Sequence, residues 1–165
     1  MCSSWVNNIY KMKSELKLLK VSIKNVLSIL EGLSVNQLNE IPSGYKNNLI
    51  WNAAHLLVTQ RLLIYGLTGN DLGLESDFVE KFRKGSKPEG VLTLEECEEI
   101  ISFYENHLEE LESDLANNKF VTYKAYPTSY NFEICNLNDA VSFNNLHYGL
   151  HVSTMLKLRK SIKNE

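Results

Sequence analysis

The chain has little that would staple it covalently or anchor it in a membrane. Its 165 residues include three cysteines, Cys2, Cys97 and Cys135. None forms a CxxC pair and an odd number cannot close a full disulfide framework, so a reducing, cytoplasmic compartment is expected. No stretch approaches the roughly 18 apolar residues of a membrane-spanning helix, and the opening MCSSWVNNIYKMK lacks the apolar core of a secretory signal. The expectation is a protein neither exported nor embedded. The 17 Lys and Arg against 20 Asp and Glu leave a net charge of -3. No basic block is present to track phosphates, which excludes nucleic acid as an expected partner. The sequence also has no Gly-rich phosphate loop, no HExxH and no GxSxG. Nucleotide hydrolase, zincin protease and serine esterase therefore lose their usual support.

Proline is equally scarce, and its placement organises the chain. Pro42, Pro88 and Pro127 are the only three, and each falls between segments that read as long helices. In the first segment Ile9, Met12, Leu16, Leu19, Ile23, Val26, Leu30 and Leu33 alternate in steps of three and four, one apolar stripe that Gly32 should end. The second, from about Asn48 to Leu67, is apolar over most of its circumference and should be deeply buried, with Arg61 at its most solvent-facing position. The third, from about Thr93 to Asn117, carries Leu94, Cys97, Ile101, Tyr104, Leu108, Leu111 and Leu115 on one seam and glutamates opposite. The fourth, from about Asn138 to Ile162, opens at a capping Asn136 or Asn138 and closes on the basic run LKLRKSIK, suited to the negative end of a helix dipole.

Four such stripes satisfy one another in an all-α four-helix bundle, one domain over residues 1–165. With 44% hydrophobic residues, a chain this long buries roughly 70% of its unfolded surface and needs no structural metal. Two connections exceed the usual 2 to 8 residues of a bundle. Residues 68–92 are long enough to cross it, with a short helix at SDFVEKFRK; residues 118–137 look extended and are placed to lid one end.

The fourth stripe is where chemistry enters. It runs Ala140, Asn144, His147, His151, Met155, Leu158, Ile162, apolar at its ends and polar in the middle. Imidazoles in core positions lose hydration, which hydrogen bonds or a metal must offset. At i and i+4 both rings project from one face, one turn apart. That spacing alone is weak evidence, and a third ligand is needed. His55, sharing a face with Asn52 and Thr59 in an otherwise apolar helix, supplies it. Three neutral imidazoles would hold a divalent transition ion with a coordination position open. Asn52 and Asn144 read equally well as groups orienting the rings or as helix-to-helix hydrogen bonds. His107, among carboxylates, reads as a solvated surface residue, Cys97 as core packing, and Gly149 as room for another helix. No Asp or Glu on the seam near the triad offers a general base.

The chain resembles the DinB/YfiT-like superfamily. The resemblance is carried by LIWNAAHLLVTQRLLIYGLTG, with His55, and by DAVSFNNLHYGLHVSTMLKLRK, with the His-x-x-x-His of His147 and His151. It implies a four-helix bundle with long crossover connections and a three-histidine site for a divalent ion, zinc or nickel foremost and iron or manganese after them. A homodimer is also implied. So is metal-dependent hydrolysis or transfer of a low-molecular-weight thiol of the bacillithiol or mycothiol kind, with a small molecule as substrate. The competing expectation is a metal-binding or dimeric stress-response protein without turnover, which a fourth protein ligand would favour.

Overall fold

The computed structural model describes residues 12–163, and among them six α-helices and one two-stranded ladder follow one another along the chain. Ile9, Cys2 and the N-terminal segment read for a signal lie outside the described residues. Helix α1 (Lys13–Leu30) buries Leu16, Leu19, Ile23, Val26 and Leu30, the stripe its spacing predicts. It stops where Gly32 turns the chain at φ +72°, a conformation that glycine adopts without steric cost. Helix α2 (Val35–Asn39) was not expected. A capping box fixes it: the Ser34 hydroxyl accepts from the Gln37 N–H, and the Gln37 side chain accepts from the Ser34 N–H.

Helix α3 (Leu49–Ile64) starts at Asn48, whose side chain accepts from the Trp51 N–H at 2.8 Å. Fourteen of its 16 residues are buried, because it is the central helix: α1, α2, α4 (Ser76–Phe82), α5 (Leu94–Ala116) and α6 (Leu137–Lys163) all pack on it. Truncating a fully buried side chain here, such as Leu56, should cost about 2–5 kcal/mol. Helix α5 starts with a second capping box, Thr93 with Glu96. At the start of α6 the Asn136 side chain accepts from the Asp139 N–H at 3.0 Å, so the cap is Asn136 rather than Asn138.

Side-chain bridges give the helix directions. Asn145 donates to the Glu15 carbonyl and Arg159 to that of Ser28, so α1 and α6 run parallel. Tyr104 reaches the Ala53 carbonyl and Tyr65 reaches Asp114, so α3 and α5 are also parallel. His151 meets Asn52 while Tyr148 meets Gln60, so α3 and α6 are antiparallel. The four long helices thus run up, down, down, up. Two parallel neighbours need a connection that runs the length of the bundle, and the segment between α3 and α5, with α4 inside it, is that crossover. Between α5 and α6, β1 (Tyr126–Pro127) pairs antiparallel with β2 (Glu133–Ile134), Tyr126 opposite Ile134. Among the described residues no helix is long and apolar enough to cross a membrane.

Four expectations are corrected. Arg61 is 4% exposed, because α5 covers that side of α3 and brings Glu110 into an ion pair with it. His107 is fully buried among the seam residues of α5; of its acidic neighbours Glu105 and Glu109 are exposed, while Glu110 comes within 4.0 Å of its ring on the side where it pairs with Arg61. Leu94 is exposed at the first turn of α5, and the seam passes through Ile100 where Ile101 was expected, Ile101 being half-buried. Gly149 faces open space, with no helix approaching it.

Candidate metal centre

Antiparallel packing of α3 and α6 sets His55 opposite the one-turn pair His147 and His151. One ring nitrogen from each lies within 4.8 Å of the others, and the ring centroids are 5.2, 4.9 and 4.6 Å apart. His55 is buried, and the other two are half-buried. The cluster therefore has a protein side and an open side. On the protein side Trp51, one turn before His55, stacks on its ring at 4.9 Å and 7°.

Two of the three rings are oriented by acceptors. His55 Nδ1–H donates to the Phe82 carbonyl at 2.7 Å, at the end of α4 in the crossover. His151 Nδ1–H donates to Asn52 Oδ1 at 2.8 Å. Asn52 is itself held, because its Nδ2 donates to the Asn48 carbonyl at 2.6 Å, which fixes which end of the amide faces the ring. In neutral imidazole a proton on Nδ1 leaves the lone pair on Nε2, so both rings offer Nε2 as ligand. The Thr59 hydroxyl stands 3.5 Å from His55 Nε2. His147 Nδ1 is buried without a hydrogen-bond partner. An unsatisfied buried nitrogen of this kind costs about 1–3 kcal/mol, and this orphan, beside two oriented lone pairs, fits a group of rings that would hold an ion.

The protonation states suit that role. Burial is the main cause for all three rings. It lowers the His55 pKa, with the Phe82 hydrogen bond opposing it in part. It takes His147 down to about 3, helped by His151, His55 and Lys84, and His151 down to about 4, helped by His55. At neutral pH the rings are uncharged. Three neutral nitrogens in one group could hold a divalent transition ion. Metal–nitrogen bonds of about 2.1 Å place such an ion among atoms this close with small ring adjustments.

The open side leads to a cavity of about 570 Å³, within the roughly 300–1,000 Å³ of small-molecule sites. Leu62, Leu67, Phe143 and Leu150 give it apolar walls, and the β1–β2 hairpin contributes Tyr126 and Tyr130. The extended segment thus does lid the site. Lys84 also lines the cavity, and among the described residues no Asp or Glu does. Sequence reasoning missed Lys84 and the hairpin tyrosines, for they sit on connections whose path no periodicity reveals.

Other polar residues of α3 form a separate network deeper in the bundle. The Gln60 amide donates to His107 Nε2 and accepts from the Tyr148 hydroxyl at 2.7 Å. The Arg61 ion pair with Glu110 lies beside it. This network explains why a nearly all-apolar helix tolerates Gln60 and Arg61, since buried polar groups need partners. Asn144 takes no part in orienting the rings: its amide donates to the Ala140 carbonyl of its own helix. Cys97 is buried and free, as core packing predicts, and neither it nor Cys135 belongs to the histidine group.

A family model for the DinB superfamily matches residues 18–155, a span containing all three histidines. Among curated proteins, none matches the chain significantly.

Proposed function

The chain belongs to the DinB superfamily, and from that premise we propose that His55, His147 and His151 hold a catalytic divalent ion, zinc or nickel, for S-transfer from a small thiol. The observation that carries the reading is three neutral imidazole nitrogens within 4.8 Å of one another, opening on a cavity of about 570 Å³. When bound, such an ion supplies Lewis acidity that ionises a thiol or water at neutral pH.

The residues of the chain do the rest. Phe82 and Asn52 keep two rings in the tautomer that presents Nε2. Trp51 and the helix packing close the protein side against water. The apolar walls hold the organic part of a substrate against the open face. Among the described residues no carboxylate lines the cavity to serve as general base, so either nucleophile would depend on the ion for its ionisation; thiol is favoured because the apolar walls suit its organic part, which water lacks. In the transfer, the thiol proton goes to solvent, the sulfur lone pair forms an S–C bond, and the leaving group departs with its bonding pair.

Elemental analysis of untagged protein, followed by a screen with 1-chloro-2,4-dinitrobenzene and small thiols, tests this. Chloride release that needs both thiol and ion, and is lost in His151→Ala, is the expected result. Cleavage of p-nitrophenyl esters without thiol would make water the nucleophile. Neither activity at full metal occupancy would sink the catalytic reading and leave a metal-binding protein.

A further inference from the structure

The cavity beside the histidines is electrostatically one-sided. Among the described residues its lining includes Lys84 and no Asp or Glu. Among the described residues none of the ion pairs involves Lys84, although its sequence neighbours Lys81 and Arg83 are paired with Glu96 and Glu80. Lys84 also stands close enough to His147 for its charge to act on that ring. With a divalent ion on three neutral rings, positive charge would line the cavity from two directions with nothing to offset it.

Between those charges the wall changes character. Leu62, Leu67, Phe143 and Leu150 are apolar, whereas the hairpin brings Ser129 to the lining, the Thr128 hydroxyl beside it being taken up by the Phe132 carbonyl at 2.7 Å. A neutral, fully apolar molecule would leave Lys84 without a partner. A small dianion without carbon skeleton would leave the apolar wall against water. The complementary ligand has an apolar middle and an anionic end.

We propose that Lys84 is a specificity-determining residue that recognises a carboxylate on the small molecule bound beside the histidines. The proposal deepens the S-transfer reading and rests on it for the role of that molecule. The carboxylate is carried either by the thiol or by the group it attacks, and Ser129 on the same lining supplies a hydroxyl to that end. A charge-assisted contact of this kind, partly open to solvent, should be worth about tenfold in affinity.

The test has two arms. In the first, metal-stripped protein is titrated with hexanoate and with 1-hexanol, followed by NMR shifts of cavity residues, so that no carboxylate–metal bond contributes. Wild type should prefer hexanoate about tenfold; Lys84→Gln should abolish the preference without weakening 1-hexanol binding, and Lys84→Arg should keep it. Equal affinities in wild type, or a preference that survives Lys84→Gln, would overturn the proposal. In the second arm, cobalt-loaded protein is titrated with 3-mercaptopropionate and with the neutral 1-propanethiol, read by the sulfur-to-cobalt absorption band. A Lys84-dependent advantage of mercaptopropionate assigns the carboxylate to the thiol, and no advantage assigns it to the acceptor. Failure of cobalt to bind defeats the metal reading alone, because the first arm still reports on Lys84.

Discussion

Asn52 Oδ1 accepts the proton of His151 Nδ1 at 2.8 Å, and the same amide is locked by its donation to the Asn48 carbonyl at 2.6 Å. The relationship joins the cap of α3 to a ring on α6. An amide free to flip would present a donor to Nδ1 half the time and favour the wrong tautomer. Asn48 is itself tied down, donating to the Asn39 carbonyl at 3.0 Å. The orientation of one candidate ligand is thus set through α3 by the end of α2.

Asn52→Ala should therefore weaken metal binding by about 10–100-fold, the usual cost of losing such an orienting partner. Competition against a chelator of known affinity measures it. The helical circular dichroism should be unchanged, and an unchanged affinity would show that the ring needs no outer partner.

His147→Ala or His151→Ala should sharply lower metal occupancy and leave the bundle folded. The core is built from the buried stripes of α1, α3, α5 and α6 and does not need the ion, unlike a small zinc domain that unfolds without it. Circular dichroism with and without chelator, beside elemental analysis of each variant, checks both halves. Loss of helix on chelation would make the metal structural.

The convergence of the histidines was legible in the sequence because seam positions predict which side chains face inward, whatever the details of the connections. His55, His147 and His151 each interrupt an apolar stripe, and packing two such stripes antiparallel brings them together. The same logic failed for His107 and Arg61. Neighbours one and two positions away on a helix point in different directions, so Glu105 and Glu109 are exposed while His107 is buried, and Glu110, one turn on, reaches inward to Arg61. Arg61 reads as the most solvent-facing residue of its helix, yet five other helices pack on α3 and leave only Thr59 and Leu62 half-buried, on the cavity side. What lines the cavity was not legible at all: Lys84, Thr128 and Tyr130 lie on connections, where no repeat of 3.6 or 2 applies.

His107 gives a pH signature. Burial, with Arg61 adding to it, lowers its pKa from 6.5 to about 3. Between those values the unfolded chain binds a proton that the native ring refuses, so acidification favours unfolding. The contribution is complete above pH 6.5 and is lost as pH falls toward 3, at up to about 1.4 kcal/mol per pH unit. Urea unfolding of His107→Gln between pH 7.5 and 5 should show a shallower loss of stability than wild type. Stopping at about pH 5 keeps most carboxylate titration out of the comparison. Equal slopes would place a charged, solvated ring at this position.

The crossover should matter to the metal through one backbone atom. His55 donates to the Phe82 carbonyl at 2.7 Å, and that carbonyl is held in place because the Phe82 ring is 2% exposed and packs on Phe78 at 4.8 Å. The carbonyl cannot be removed by substitution, but its anchor can be loosened. Phe82→Leu keeps an apolar side chain and loses part of the volume, so it should cost about 1–2 kcal/mol. If the crossover orients His55, the variant should also bind the ion more weakly. An ion that binds only the native state stabilises it by RT ln(1 + [L]/Kd), so at fixed metal a tenfold weaker site loses about 1.4 kcal/mol of that gain. The expected result is a metal-induced rise in Tm that is several degrees smaller in Phe82→Leu than in wild type, on top of a lower Tm for both forms. Phe103→Leu is the matched control: that ring lies at the edge of the same aromatic group, 6.3 Å from Phe78, and carries no carbonyl to the site. An equal metal-induced rise in wild type and Phe82→Leu would mean that the crossover only covers the bundle; a deficit confined to Phe82→Leu would make it part of the ligand's support.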